Sequence, residues 1–255
     1  MLIRFEQVSK IYGEGEARVV ALDRVDLTIP RGQFVAVQGP SGSGKSTTMN
    51  ILGTLDTPSS GRYLFDGADV GELSRDERAM FRRENVGFVF QGFNLLKRTT
   101  ALENLELPLV YRGVPKAERR ARALEALAQV GLEDRGHHTA SELSGGQQQR
   151  VAIARALVTD PSVIFADEPT GNLDSAKSHE IMALLRSLNE SRGLTIVLVT
   201  HEEDIAAYAK RQVRFRDGRI ASDRNQKDTR PIIDPPLEGG SKFANASEAN
   251  FGEGS

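Results

Sequence analysis

The chain contains no cysteine, carries almost no net charge, and has no apolar run that approaches the roughly 18 residues of a membrane-spanning helix. A fold without cysteine depends on no disulfide bond, which fits a reducing compartment. The 33 lysine and arginine residues against 35 aspartate and glutamate residues give no support for nucleic acid as a partner. Segment 1–6 has an acidic residue where a secretory signal would have its apolar part. We therefore expect a soluble, cytoplasmic chain.

A glycine-rich segment lies between a predicted strand, 34–38, and a predicted helix, 46–52. It fits the pattern G-x-x-x-x-G-K-[ST], in which backbone N–H groups close around phosphates, a lysine reaches the terminal ones and a hydroxyl holds Mg²⁺. A glycine- and serine-rich turn without a ligand would need neither Lys45 nor Ser46 at its position. This phosphate loop and the residue after it are Gly39, Pro40, Ser41, Gly42, Ser43, Gly44, Lys45, Ser46 and Thr47.

A second motif precedes another predicted helix, 147–158. It runs Leu143, Ser144, Gly145, Gly146 and Gln147, followed by Gln148, Gln149 and Arg150. This run resembles the signature sequence of ATP-binding-cassette (ABC) ATPases. A helix N-terminus with free amides is an anion site, so the motif is suited to contact a nucleotide phosphate.

Other segments resemble the remaining motifs of the same family, in the same order. The matching residues are the acidic pair Asp167 and Glu168 after the strand 163–166, Gln91 after the strand 86–90, Asp174 at the end of the loop 171–174, His201 after the strand 195–200, and Tyr12 before the phosphate loop. The resemblance covers roughly residues 1 to 220.

The resemblance implies an ATPase that binds ATP with Mg²⁺, and it gives these residues roles. Catalysis would depend on Lys45 at the phosphates, Glu168 as the general base, His201 at the γ-phosphate and beside that base, and Gln91 in the metal and water environment. Ser46, Gln91 and Asp167 would hold Mg²⁺. Tyr12 would stack on adenine.

The family also places the signature and the phosphate loop on opposite subunits. Ser144, Gly145, Gly146 and Gln147 would then contact an ATP bound by the other subunit of an ATP-dependent, head-to-tail homodimer. Asp174, beside the dimer seam, would couple the two sites. ATP binding would favour the closed dimer and hydrolysis would release it.

The resemblance and the alternation of strands with helices after Gly39 predict an α/β fold. It consists of a P-loop NTPase (RecA-like) core, an antiparallel β subdomain and a helical subdomain that carries the ABC signature. The antiparallel strands are predicted around 2–8, 19–29 and 34–38. Between Gln91 and Ser144 the strand signal disappears, and the segments 101–111 and 116–130 have apolar residues at helical spacing.

The domain boundaries follow from these patterns. We assign the ABC ATPase domain to 1–221, with the helical subdomain inserted at about 92–145. From about Ser222 the periodicity is lost and large apolar residues are few, so we interpret 222–255 as a disordered tail rather than a docked regulatory extension. His137 and His138 have no ligand set at a recognisable spacing, so they predict a solvated loop pair and not a metal site.

Four segments, 12–17, 90–96, 99–104 and 107–109, resemble one branch of the family, that of the macrolide exporters and lipoprotein-release ATPases. In that branch the ATPase drives an integral membrane permease that has few spans and a large external domain. The resemblance implies a chain located at the inner face of the cell membrane. Here the permease would be a separate chain, or the sequence is one trimmed to the ATPase.

Three functions remain open at this point. The first is the ATP-hydrolysing subunit of an efflux or lipoprotein-release system that works by mechanotransmission. The alternative is a cell-division or cell-wall signalling ATPase that regulates a hydrolase without moving cargo. The third, a cassette protein that acts on DNA or ribosomes, is disfavoured because the chain lacks the long coiled-coil insertion or the second cassette of those relatives.

Overall fold

The computed structural model describes residues 1–226, and they form two sheets flanked by helices. The smaller sheet is antiparallel, with the strand order β2-β1-β4-β5. Its strands are β1 (Ile3–Tyr12), β2 (Val19–Ile29), β4 (Ser60–Phe65) and β5 (Ala68–Asp69). The predicted strands at 2–8 and 19–29 lie in this sheet, and the first of them continues to Tyr12.

The larger sheet has six strands in the order β10-β9-β3-β8-β7-β6. They are β3 (Phe34–Gln38), β6 (Val86–Phe90), β7 (Val163–Asp167), β8 (Thr195–Val199), β9 (Arg211–Arg216) and β10 (Arg219–Asn225). All neighbours in this sheet are parallel except β9 and β10. The prediction that 34–38 is an antiparallel strand is therefore wrong. β3 is buried along its whole length, as expected for a central parallel strand covered on both faces.

Seven α-helices surround the sheets within residues 1–226. They are α1 (Lys45–Leu52), α2 (Arg75–Asn85), α3 (Ala101–Tyr111), α4 (Lys116–Gln129), α5 (Gly145–Leu157), α6 (Ser175–Arg192) and α7 (Glu203–Ala206). None of the helices in this part of the chain combines the length and the hydropathy that crossing a membrane requires.

The helical subdomain between β6 and β7 is built as its sequence pattern predicts. α3 and α4 pack on each other and on α5, and they bury Leu105, Leu109 and Leu127 completely. Thr100 caps α3 through a reciprocal pair of hydrogen bonds with Glu103, which satisfies amides that the first helical turn leaves free. These contacts hold α5, which begins at the signature, against the core.

The alternating residues of the central strands divide the interior into two hydrophobic clusters. Phe34 and Ala36 belong to the cluster that includes α3, α4 and α5, while Val35 and Val37 belong to the cluster shared with the antiparallel sheet. The two faces of the larger sheet thus pack against different parts of the molecule.

The C-terminal boundary lies later than the sequence indicated. β10 continues to Asn225 and pairs with β9, so Ser222–Asn225 belong to the sheet and not to the tail that we assigned to 222–255. Edge strands of this polar composition show little apolar periodicity, which explains the error. The remainder of that tail, from residue 227, lies outside the described residues.

Candidate active site

The phosphate loop leaves the end of β3 and enters α1, as its motif requires. Gly39, Gly42 and Gly44 have φ angles of 149°, 76° and 103°, in the left-handed region that side chains rarely tolerate. A Cβ atom on Gly39 would overlap the carbonyl oxygen of Phe215, so this position accepts only glycine without a shift of the backbone. The sequence therefore builds a loop of exposed amides at the N-terminus of a helix.

Lys45 begins α1 and its side chain turns back over the loop. Its Nζ donates to the carbonyl oxygens of Gly39 and Pro40, at 2.7 and 2.8 Å. Ser46 is exposed and Thr47 is half-buried, so both hydroxyl-bearing residues after Lys45 are accessible. The ammonium group and these hydroxyls stand together at the helix N-terminus.

The acidic pair lies at the carboxyl end of β7, in the same sheet as β3. Asp167 is the last residue of the strand, and Glu168 follows it with a φ of 45°. The pKa of Asp167 is raised by its burial and by the negative charge of Glu168, and the ammonium of Lys45 opposes the shift. Glu168 lies outside the strand and has a left-handed backbone conformation. Its amide donates to the carbonyl oxygen of Val199 at 2.9 Å, which stabilises this conformation.

His201 follows the end of β8 and contacts the acidic pair. Its Nδ1 lies 2.8 Å from Oε1 of Glu168. The hydrogen bond to Glu168 and the negative charge of that carboxylate raise the pKa of His201. The pairing favours a protonated ring that holds one oxygen of Glu168 in place.

Gln91 directly follows β6 and reaches the loop after the acidic pair. Its Nε2 donates to Oδ1 of Asn172 at 3.2 Å, and Nδ2 of Asn172 donates back to the Gln91 carbonyl at 3.0 Å. A Cβ atom on Gly171 would stand 2.6 Å from the Gln91 Nε2 atom. The sequence motifs assign no role to Asn172. Its partner Gln91 lies 81 residues away in the chain, so no local sequence pattern indicates the contact.

A cleft of about 430 Å³ is shared by Gln91, Glu168 and His201, whereas neither the phosphate loop nor Asp167 lines it. Its walls include Gln91, Glu168, Thr170, Gly171, His201 and Glu202. Among residues 1–226, three buried side-chain polar atoms at this site have no hydrogen-bond partner: Oε2 of Glu168 and Oγ1 of Thr170 in the cleft, and Oγ of Ser43 in the phosphate loop. Since buried polar atoms are normally hydrogen-bonded, these atoms fit a site that binds a polar ligand.

The donors present are also those that Mg²⁺ prefers. Ser46, Gln91 and Asp167 offer a hydroxyl, an amide and a carboxylate oxygen, and Mg²⁺ is commonly held by one or two carboxylates together with substrate phosphates. Within residues 1–226 no group of three or more His, Asp or Glu side chains could form a metal cage by itself. The site fits a metal that arrives with a nucleotide, and His137 and His138 are not part of any such group.

The signature begins α5 in the helical subdomain. Ser144 is the exposed N-cap, its Oγ accepts from the Gln147 amide, and its own amide donates to the Gln147 side chain at 3.0 Å. A Cβ on Gly145 would stand 3.2 Å from Leu173 and one on Gly146 would stand 3.3 Å from Lys177. In the described part of the chain no hydrogen bond joins residues 144–147 to the phosphate loop.

Two predicted nucleotide contacts lie at the margins of this arrangement. Tyr12 ends β1, is 39% exposed, and donates its hydroxyl to Oδ2 of Asp56 at 2.8 Å. Burial and Asp56 raise its pKa, and Thr47 of α1 opposes that shift, so its ring stands beside the phosphate-loop helix. Asp174 caps α6 by accepting from the Lys177 amide at 2.9 Å.

The family model described as ABC transporter matches residues 22–171 of this chain. Among curated proteins, the macrolide export ATP-binding/permease protein MacB of Hyphomonas neptunium is 54% identical over 226 residues, which are 89% of this chain and 35% of that protein. The uncharacterized ABC transporter ATP-binding protein MJ1508 of Methanocaldococcus jannaschii is 52% identical over 219 residues, 86% of this chain and 97% of that protein. The chain thus spans about a third of the length of the MacB relatives.

Solved structures confirm the α/β cassette fold. The ATP-binding cassette MJ0796, described as dimeric in a post-hydrolysis state bound to ADP and Pi, is 46% identical with a TM-score of 0.79, over 88% of this chain and 98% of that one. The cbiO1 protein of Clostridium perfringens, described as part of the ABC transporter complex cbiONQ, is 34% identical with a TM-score of 0.80, over 88% of each chain.

Proposed function

The chain belongs to the ABC transporter family and is an ATP-binding, ATP-hydrolysing protein, and from this premise we propose that it powers a membrane permease carried on a separate chain. In this proposal the complex carries out efflux or lipoprotein release. Closure of the ATPase subunits moves an external part of the permease. One observation carries the proposal: the Glu168–His201 pair shares a cleft with Gln91, close to Lys45.

The proposed reaction is the attack of water on the γ-phosphorus of ATP, with cleavage of the bond to the β–γ bridging oxygen. Glu168 is the general base, because His201 binds its Oε1 while its buried Oε2 has no hydrogen-bond partner among residues 1–226. The proton of the attacking water passes to Glu168. Lys45 and the phosphate-loop amides stabilise the negative charge on the phosphate oxygens.

Ser46, Gln91 and Asp167 are the residues that would hold Mg²⁺. When bound, the ion neutralises charge on the transferred phosphoryl group. The raised pKa of Asp167 and the nearby Lys45 show that this carboxylate stands in a partly desolvated, charged environment beside the phosphate loop. Gln91 links this environment to the helical subdomain, because the chain runs directly from it toward α3.

We place a second nucleotide contact on the signature of a partner subunit. Ser144 is exposed at the N-terminus of α5, and among residues 1–226 no hydrogen bond joins it to the phosphate loop of its own chain. A head-to-tail homodimer would bring them to the ATP of the partner. The dimeric relative MJ0796, described with ADP and Pi, supports this arrangement.

An apolar groove of about 700 Å³ is the proposed docking site for the permease. It is lined by residues of α2, β6, α3 and α5, and three of its side chains, Leu55, Met80 and Tyr111, are 52%, 55% and 70% exposed. Exposed apolar side chains grouped on one surface are typical of interaction sites. β6 lines the groove and leads directly into Gln91, so a bound permease segment would lie one element away from the nucleotide site.

The resemblance to one branch of the family supports a more specific proposal about the permease. The MacB relatives are named as ATP-binding/permease proteins for macrolide export, and the segments quoted above resemble that branch. We therefore expect a permease with few spans and a large external domain, and a position of this chain on the cytoplasmic side of the membrane.

The test is a pull-down from native membranes with the Glu168→Gln form loaded with ATP. Glu168→Gln without ATP is the first control, and Glu168→Gln combined with Met80→Asp in the groove is the second. We expect a permease with few spans and a large external domain, captured with ATP and lost with Met80→Asp.

Other outcomes would change the proposal in defined ways. A permease that binds a cell-wall hydrolase would favour the signalling alternative. A many-span permease would retain the transporter ATPase and contradict the branch. Recovery of ribosomes or DNA would contradict the transporter function.

A further inference from the structure

We propose that Arg155 is a positioning residue for ATP hydrolysis. It fixes the backbone of the segment that follows Gln91, and through this segment it sets where the Gln91 side chain stands. The inference rests on the proposed function of Gln91, and the experiment below separates the two.

Arg155 binds the carbonyl oxygens of two consecutive residues. From the last turn of α5, its Nη1 donates to the carbonyl oxygen of Asn94 at 2.5 Å and its Nη2 donates to that of Phe93 at 3.0 Å. Phe93 and Asn94 both have left-handed backbone conformations, with φ of 59° and 51°. Such a pair of non-glycine residues is rarely stable without outside contacts. The fork of the guanidinium supplies them from an element 61 residues away in the chain.

The amides of the same two residues are already used within the segment. The Phe93 amide donates to Phe90 and the Asn94 amide donates to Gly92. The carbonyl groups point the other way and meet only the guanidinium among the contacts of the described residues. Arg155 thus completes the hydrogen bonding of a tight double turn that runs from Phe90 to Asn94 and includes Gln91.

Within the described part of the chain, the charge of Arg155 has no acidic partner. Burial lowers the pKa of its guanidinium, and among residues 1–226 no carboxylate lies close enough to oppose the shift. A partly desolvated cation is unfavourable unless its hydrogen bonds replace water. An unbranched apolar side chain would fill the same space without that penalty, so the two carbonyl contacts explain why an arginine stands here.

The segment also lies near the start of α5, and Gln91 contacts the loop that follows the acidic pair. The Phe93 ring stands 3.8 Å from the place that a Cβ on Gly145 would take. Gln91 itself is paired with Asn172. A displacement of α5 therefore pulls on the Phe93 and Asn94 carbonyls and changes the position of Gln91. Arg155 also lines the apolar groove, so an occupant of the groove would contact the same side chain.

The experiment compares Arg155→Met, Arg155→Lys and the control Arg112→Met. Arg112 is a matched control because its guanidinium also binds only carbonyl groups, including that of Thr159 at 2.7 Å, and burial also lowers its pKa. It anchors the end of α3 and makes no contact with residues 91–94. Met keeps an unbranched apolar stem and removes every donor.

The first readout is amide hydrogen exchange of the nucleotide-free protein. We expect exchange of the amides in 92–95 to become at least tenfold faster in Arg155→Met, intermediate in Arg155→Lys, and unchanged in Arg112→Met. Unchanged exchange in a folded Arg155→Met protein would overturn the inference, whatever the enzyme does. Where Arg155→Met does not fold, Arg155→Lys carries the same test.

The second readout is the ATPase rate as a function of Mg²⁺ and ATP concentration. We expect Arg155→Met to lower kcat about tenfold and to raise the Mg²⁺ concentration for half-maximal rate several-fold, with a smaller change in the KM for ATP. Arg112→Met should keep the wild-type Mg²⁺ dependence. Equal losses in both variants would reduce Arg155 to a structural role. Faster exchange in a protein whose wild type hydrolyses no ATP would instead contradict the proposed function and leave the positioning role intact.

Discussion

The Nδ1 atom of His201 lies 2.8 Å from Oε1 of Glu168 and joins the end of β8 to the residue after β7. The two residues are 33 positions apart, and they meet because β7 and β8 are parallel neighbours whose carboxyl ends lie at the same edge of the sheet. In open α/β sheets, ligands bind outside the carboxyl ends of the strands, which is where this pair lies.

This pairing predicts how His201 titrates. Glu168 raises the pKa of His201 above its ordinary value of 6.5. The pairing therefore contributes stability that is fully present below pH 6.5 and is lost as the pH rises through the raised pKa. In NMR titrations of the nucleotide-free protein, Glu168→Gln should return the His201 pKa toward 6.5. An identical His201 titration in the two proteins would show that the contact is absent in solution.

Ser144→Ala separates the capping role of this serine from its predicted nucleotide contact. Ser74 caps α2 with the same reciprocal pair of bonds, to Glu77, and serves as the control. Each substitution should lower the free energy of unfolding by about 1 kcal/mol in urea denaturation. Only Ser144→Ala should also weaken the ATP-dependent dimer of Glu168→Gln, measured by light scattering. If the two variants dimerise equally, Ser144 is not part of the dimer interface.

Gly39→Ala tests the geometry of the phosphate loop against Gly42→Ala. Both positions have left-handed φ angles, but a Cβ at Gly42 meets nothing within 4 Å, whereas one at Gly39 overlaps Phe215 and Ser43. Overpacking of this kind should make Gly39→Ala less stable than Gly42→Ala by about 1–3 kcal/mol. Denaturation in urea measures the difference. Equal stability would mean that the loop shifts without penalty.

Leu105→Ala tests whether the helical subdomain depends on its buried face. Leu105 is fully buried in α3, while Leu124 in α4 is 44% exposed. Leu105→Ala should destabilise the protein by about 2–5 kcal/mol through the lost burial and the cavity. Leu124→Ala should change stability by no more than about 0.5 kcal/mol. Similar losses in both variants would mean that the two residues are not packed as described.

Much of the fold and of the phosphate loop could be predicted because short sequence segments determine them. The phosphate loop lies where its motif placed it, α3 has the predicted bounds, and α4 ends one residue before the predicted end. Glycines, a helix start and apolar spacing act over a few residues, so one sequence is enough to recognise them. The roles assigned to individual site residues, from Tyr12 to His201, remain predictions.

The rest depends on contacts between distant parts of the chain. The Gln91–Asn172 pair and the Arg155 contacts join residues 81 and 61 or 62 positions apart. No local pattern marks them. The parallel partners of β3 and the extent of β10 were also missed, because strand pairing is decided by the whole sheet and a polar edge strand lacks apolar alternation.

Alternate side chains of β3 belong to two different hydrophobic clusters, one on each face of the larger sheet. The side chains of Phe34 and Ala36 pack with the helices on one side, and those of Val35 and Val37 pack with the antiparallel sheet on the other. Partial opening can therefore expose one interior while the other stays closed, in units that follow the two sides of the strand. On heating or in denaturant, the two clusters should unfold at different free energies, and β3 should be the last element to unfold.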